Sequence, residues 1–335
     1  MSEKLNLCML GCGAIARLHA RVARTMSSRV HLMFASRSLE RALEYNDRYK
    51  GVGAFGDYEE ACADPRVHAV FICTPHAFHV EHVQLATRHG KHVLIEKPVC
   101  RTLAELAQIE RAAAEAGVVA MVAENYHFKP LVRTLRYHVG RGDVGDIVFL
   151  ELNRAGRSKV TGWRSDAEMM GGGALLEGGV HWVNLFLNLG GDAREVIAAQ
   201  PSVDRDLVAP FEDGLEVLVK FAGGGVGKLL HSWNTINRIG GLSSSRILGT
   251  AGNIHFESNG IVALVLGRRK RLRVPGLLDI MGYRAMLRHF VDCVRDGGLP
   301  EMSLTVARRD LRVIAAAYRS LRTGRFESAQ EDLDA

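Results

Sequence analysis

Residues 5–24 read LNLCMLGCGAIARLHARVAR. The apolar run Leu5–Leu10 meets Gly11-Cys12-Gly13-Ala14-Ile15-Ala16, and an amphipathic stretch follows at once. A short run that is apolar throughout suits a strand buried on both faces. The spacing G-x-G-x-x-A, after such a strand and at the opening of a helix, is a dinucleotide fingerprint. Its first glycine permits a sharp turn, and its second lets the backbone approach a pyrophosphate. The helix N-terminus presents N–H groups and the positive end of its dipole to that anion. Gly11, Gly13, Ala14 and Ile15 are therefore cofactor-binding candidates.

The same texture repeats outward from this stretch. Apolar runs at Val30–Ala35, 69–73, His92–Ile95 and 118–123 alternate with helical patterns at 14–26, 39–49, 58–63, 77–89 and 103–116. Thr102 and Glu105 form a capping box, and Gly90 and Gly117 stand where helices stop. Repeated β-α-β predicts a parallel doubly wound sheet, an α/β Rossmann domain over residues 1–124. From 125 onward the pattern changes. A helix is expected over 130–140 and another over 174–189. β-rich runs follow at 146–154, 194–203, 214–221, 225–235, 244–249, 253–257, 261–266 and 271–275, and helices near 280–296 and 303–322 close the chain. Tight glycine turns between the runs predict antiparallel meanders. Residues 125–335 thus read as an α+β domain, a mainly antiparallel sheet with helices on one face. The polar, acidic tail from Glu327 is expected to be disordered.

Composition narrows the function. The chain has 335 residues, 47% hydrophobic and 24% charged, which is ordinary globular composition. No apolar run approaches a membrane span, and the glycine turn arrives too early for a signal peptide. A cytoplasmic location is expected, with no membrane partner. None of the six cysteines forms a C-x-x-C pair, so reduced, buried thiols are expected. The net charge is +6, yet the one dense basic run, 268–271, reads as a hairpin turn with no nucleic-acid motif around it. His76, His79 and His82 recur every third residue without an HExxH pattern, so no metal site is assigned.

The strand ends carry the specificity signals. About 20 residues past the glycines, a NAD site places a carboxylate for the ribose hydroxyls. Here stands Ala35-Ser36-Arg37-Ser38. Ser36 and Arg37 suit a phosphate, which favours NADP over NAD. The alternative is that Ser38 caps the next helix and Arg37 is solvated. Thr74, Pro75 and His79 follow the third run, at the end that forms the ligand crevice, although His79 can equally be a packing histidine. Glu96-Lys97-Pro98 ends the fourth run at the same edge.

The ordered set GCGAIA at 11–16, TPHAFH at 74–79, GKHVLIEKP at 90–98, GGGALLEGGVH at 171–181 and ARRDLRVIAAAYRSLRTGR at 307–325 spans nearly the whole chain. In it the sequence resembles the Gfo/Idh/MocA oxidoreductase family, which includes glucose–fructose oxidoreductase and inositol dehydrogenase. The resemblance implies that Lys97 lies beside the nicotinamide and the reacting hydroxyl, and that a cis bond precedes Pro98. It also implies that residues 125–335 carry an open, mainly antiparallel sheet for substrate binding and oligomerisation, and it places Tyr126 at the cofactor–substrate boundary; Glu96 and Lys97, at the crevice edge, are cofactor-binding candidates.

The helical spacing of Glu177, His181 and Asn184 puts them on one face. Two glycines within that helix cost about 1 kcal/mol each, so close approach to another element or a ligand is expected at Gly178 and Gly179. The family carries Asp where this chain has Glu177, one methylene longer. Oxidising an alcohol removes hydride from carbon and a proton from oxygen, and an imidazole is suited to the proton. His181 is assigned as base in oxidation and acid in reduction, with Glu177 orienting it or binding a substrate hydroxyl. Lys97 hydrogen-bonds the reacting oxygen. Trp163, Arg164, Tyr126 and Asn184 are substrate-binding candidates. The alternatives are a glycosidase-like enzyme that uses a bound nicotinamide transiently, and a non-catalytic nicotinamide or sugar sensor. The family commonly buries the second sheet against another subunit, so a homodimer or homotetramer is expected.

Overall fold

A computed structural model describes residues 4–203, 211–235, 243–267 and 270–334. Arg268 and Arg269 of the basic run lie outside them. Two units partition the chain: residues 1–100, 104–125 and 283–307 form the first, and 101–103, 126–282 and 308–335 the second.

In the first unit the apolar runs become β1 (Leu5–Leu10), β2 (Val30–Ala35), β4 (Ala69–Ile72), β5 (His92–Ile95) and β6 (Ala120–Val122). Between them lie α1 (Ala14–Arg24), α2 (Leu39–Tyr49), α3 (Tyr58–Ala63), α4 (His79–Arg88) and α5 (Leu103–Ala116). A two-residue strand, β3 (Ala54–Phe55), is too short to show a period in sequence. All pairings are parallel, in the order β3-β2-β1-β4-β5-β6. Residues Leu7 to Leu10 are wholly buried, as a strand covered by helices on both faces requires. The order reverses between β1 and β4, so the carboxyl ends of those strands open a crevice at the switch point.

In the second unit α6 (Pro130–Gly140), β7 (Ile147–Ala155), α7 (Ala167–Met170) and α8 (Val180–Gly190) lead into β8 (Ala193–Ala199), β9 (Gly214–Phe221), β10 (Val226–Ser232), β11 (Ser244–Gly249), β12 (Asn253–Glu257), β13 (Ala263–Leu266) and β14 (Lys270–Arg273). The sheet runs β14-β13-β12-β11-β7-β10-β9-β8-β15, with β15 at Glu327–Ser328. It is mainly antiparallel, but β7 and β10 pair in parallel, a long-range contact that the meander reading lacks. Burial alternates residue by residue in β9 from Leu215 to Phe221. Leu150, Leu152, Val217, Val219, Leu229 and Ile247 are buried, whereas Phe149, Leu218, Val226, Leu264 and Leu272 on the other face stay exposed.

Two helices close the chain. α9 (Tyr283–Asp296) belongs to the first unit, where it contacts α1. α10 (Leu304–Thr323) leads into the tail. The expected disorder of that tail is corrected here. Glu327 pairs with Val196 across an antiparallel bridge, and Asp332 accepts from Arg312 Nε at 2.6 Å. Two acidic residues that look solvated in sequence are counterions to α10: Asp332 to Arg308 and Arg312, and Glu327 to Arg319. No helix among the described residues is long and apolar enough to cross a membrane.

Candidate functional site

In the first unit, Gly11 has φ +96°, and a Cβ there would press on Thr74 Cγ2 at 3.1 Å and the Cys73 carbonyl at 3.2 Å. Only glycine allows the turn. Gly13 is the opposite case: a Cβ would meet nothing within 4 Å, and Gly13 and Ala14 are exposed. Gly13 caps α1 without any side-chain hydrogen bond, and no acid stands in the first turn. Open space before bare N–H groups and a helix dipole is a cradle that fits a pyrophosphate.

At the end of β2, Ser38 Oγ accepts from Arg41 N at 3.3 Å, so the capping reading of Ser38 holds. Ser36 Oγ accepts from Ser38 N at 3.3 Å. Arg37 is exposed, yet its charge is felt by Tyr58 and His82. Arg41, which the sequence reading did not single out, donates through Nε to the Cys12 carbonyl at 3.2 Å. Arg37 thus stands just past the end of β2, where a carboxylate would otherwise stand, and the Arg41 guanidinium lies at the glycine turn, 3.8 Å from Glu44 Oε2.

Thr74 is buried and its Oγ1 meets His82 Nδ1 at 2.9 Å. Burial foremost, then the charges of His79 and Arg37, hold His82 down to about 4, so it stays neutral at ordinary pH. Pro75 is partly exposed at the crevice. His79 is not: it has no exposed surface, and its ring lies between Val99 O at 3.1 Å and Thr74 O at 3.0 Å. Burial lowers its pKa against the pull of those carbonyls. His79 therefore clips two turns together, and the structure favours its packing reading. Glu96 is buried as well, its Oε1 accepting from His19 Nε2 at 2.5 Å and its Oε2 from Lys97 N at 3.0 Å. Burial pushes its carboxyl up, but His19 and Lys97 outweigh that and hold it below its usual value. The charged Glu96 thus anchors the turn bearing Lys97, which is itself partly exposed, and the Lys97–Pro98 bond is cis as expected.

In the second unit the expected continuous helix is divided. Leu175–Gly179 form a π-helical turn before α8 begins. Gly178 and Gly179 answer to protein packing: a Cβ on Gly178 would meet Trp233 at 2.9 Å, and one on Gly179 would meet Leu175 at 2.9 Å. Glu177, buried in this turn, accepts from Arg164 Nε at 2.9 Å, and the Arg164 guanidinium lies 4.5 Å from the Trp163 ring centroid. His181 is partly exposed and stacks on Tyr126, centroids 4.2 Å apart and planes 14° apart. Asn184 departs from the substrate reading. It is buried, donates to Asp310 Oδ2 at 2.7 Å and accepts from Asn188 at 2.7 Å, tying α8 to α10.

Glu212, missed in the sequence, holds the entry to the π turn. Its carbonyl accepts from Ala174 N at 2.8 Å and its Oε1 from Leu175 N at 2.6 Å. Tyr318 donates to the same Oε1 at 3.3 Å and accepts from Gly173 N at 3.1 Å. Burial, the largest influence, raises the Glu212 carboxyl to about 7, against the donors that favour its charge. A raised folded-state pKa contributes stability that is complete below the unfolded value, near 4.5, and is lost as pH climbs through about 7. Urea unfolding of wild type should weaken over that window by an amount of order 3 kcal/mol relative to Glu212→Gln. Equal pH slopes in the two proteins would exclude the titration. No cluster of three potential metal ligands occurs among the described residues.

A family model described as an oxidoreductase family with an NAD-binding Rossmann fold matches residues 5–124, and one for the GFO/IDH/MocA C-terminal domain matches 132–255. Trans-1,2-dihydrobenzene-1,2-diol dehydrogenase of Sus scrofa is 28% identical over 90% of this chain and 92% of its own length. 1,5-anhydro-D-fructose reductase of Ensifer adhaerens is 31% identical over 68% and 69%. A solved levoglucosan dehydrogenase, complexed with NADH and levoglucosan, superposes with TM-score 0.88 at 22% identity over 98% of this chain and 100% of that one. With its parallel sheet, its glycine turn and two matching domain models, the chain belongs to the GFO/IDH/MocA family and is a nicotinamide-dependent oxidoreductase.

Proposed function

We propose that the chain interconverts a carbon-bound hydroxyl and a keto group on a sugar, cyclitol or sugar-derived substrate, with NADP(H) preferred over NAD(H). The observation that carries this reading is the open N-terminus of α1, with Arg41 at its glycine turn, beside a β2 end that offers Ser36 and Arg37 and no carboxylate. The names of the relatives, a diol dehydrogenase and an anhydro-sugar reductase, support the substrate class.

Gly11, Gly13, Ala14 and Ile15 hold the pyrophosphate, and Ser36 and Arg37 hold the phosphate on the adenosine ribose. Thr74 and Pro75 shape the crevice wall. The bound nicotinamide supplies the hydride acceptor or donor. Lys97 hydrogen-bonds the reacting oxygen and stabilises its alkoxide character. His181 takes the proton in oxidation and returns it in reduction. Glu177, charge-paired with Arg164, presents a carboxylate to substrate hydroxyls, and Trp163 offers an aromatic face to the apolar side of a sugar ring. The exposed face of the second sheet, with Phe149, Leu218, Leu264 and Leu272, is covered by another copy of the chain in a homodimer or homotetramer.

Cofactor-fluorescence titration with NADPH and NADH tests the reading, followed by a polyol and keto-sugar screen with the tighter one. NADPH should bind more tightly. Gly13→Val should weaken both by at least about tenfold without lowering Tm, because the added side chain meets only the anion's space. Binding of neither nucleotide, or turnover of no alcohol or ketone in the screen, would refute it.

A further inference from the structure

Pro130 opens α6, and a residue before proline is driven out of helical backbone. Lys129 accordingly has φ −59° and ψ 138°, and its side chain is buried, with 1% of its surface exposed. A buried ammonium is costly unless its donors are used. Lys129 Nζ donates to Asn259 Oδ1 at 2.7 Å and lies 4.2 Å from the centroid of the Tyr126 ring. That same ring stacks on the His181 imidazole, and the edge of Trp182 meets it at 5.4 Å, with planes 87° apart. Asn259, Lys129, Tyr126 and His181 thus form one continuous stack, assembled from the segment before α6, the turn after β12 and the start of α8.

Stability alone does not explain this lysine. A methionine would fill the same volume with no charge to desolvate, and such exchanges are often neutral or stabilising. What the ammonium adds is direction. A cation held at one point over a ring, and itself buried, fixes where that ring sits. We infer that Lys129 is a positioning residue for His181: pinned by Asn259, its ammonium holds the Tyr126 ring, and the ring holds the imidazole in the orientation that proton transfer needs. The inference rests on the role proposed above for His181.

The test uses full-length protein carrying 13C-labelled histidine, with the His181 resonance assigned by its loss in His181→Asn. In wild type, the ring current of Tyr126 displaces the His181 Hε1 signal. In Lys129→Met and Asn259→Leu the signal should move toward its solvent position, and in Asn259→Asp, which keeps the acceptor, it should stay. Lys129→Met should keep or raise Tm and leave NADPH affinity unchanged, while kcat falls about tenfold with KM within about twofold. Asn259 lies in a partly exposed turn, so its variants carry the test if Lys129→Met does not fold. An unmoved His181 signal in Lys129→Met or Asn259→Leu overturns the inference whatever the activity. A moved signal with unchanged kcat leaves the stack in place and refutes the proton-transfer role of His181 instead.

Discussion

Lys97→Ala should lower kcat by at least about 100-fold while nucleotide affinity and Tm stay close to wild type. The side chain stands at the end of β5, in the turn that Glu96 anchors through the Lys97 backbone N–H and His19. Because the anchor uses the backbone N–H, alanine keeps the turn, and because Lys97 is only partly buried, little packing is lost. In the role proposed for Lys97, what disappears is the donor to an oxygen whose negative charge grows during reaction. An interaction of that kind appears in kcat rather than in KM. Lys97→Arg should restore little, because a planar fork presents its donors differently from a compact ammonium. Steady-state kinetics beside a fluorescence titration of nucleotide binding decides the matter. A fall in kcat of less than about tenfold removes Lys97 from the chemistry.

Gly173→Ala should be the most destabilising single-methyl addition in the second unit. A Cβ at that position would overlap both Glu212 Oε2 and the Glu212 carbonyl oxygen. Those groups cap Ala174 and Leu175, so they cannot withdraw without releasing the entry to the π turn. Overpacking against backbone of this kind costs about 3 kcal/mol, which for a unit of this size lowers Tm by roughly 10 °C. Glu177 lies in the displaced turn, so kcat should fall as well. Combining Gly173→Ala with Glu212→Ala removes one of the two clashes, and the double variant should lose less than the sum of the single losses. Strict additivity in thermal melts would show that Glu212 is not what Gly173 makes room for.

Much of the molecule is legible without coordinates. Strands buried on both faces announce themselves as short apolar runs, and β1, β2 and β5 begin and end where those runs do. The turn at Gly11 is legible because a backbone with φ near +96° tolerates little else. The candidate site is legible in part. Lys97 and His181 stand in recognisable motifs, but a motif states no geometry. The 3.6-residue period that joins Glu177 to His181 and Asn184 belongs to an α-helix, and the chain forms a π turn through Gly179. Asn184, counted on the same face, is consumed by Asp310, 126 residues away. His79 shows how a histidine at a crevice edge can still face inward, toward two carbonyls.

Local features are written in short stretches of chain: where strands and helices begin, which glycines turn, the β-α-β alternation of a parallel first sheet, and the lack of a carboxylate at 36–38. These depend on residues within one turn or one strand of each other, where period and steric limits act alone. Pairings between distant segments emerge only on folding: β7 beside β10, the tail against α10, His19 on Glu96, Glu212 on the π turn and Lys129 beneath Tyr126. The reason is physical. A charge or amide takes its meaning from the partner that replaces water, and chain closure can bring that partner from any distance in sequence.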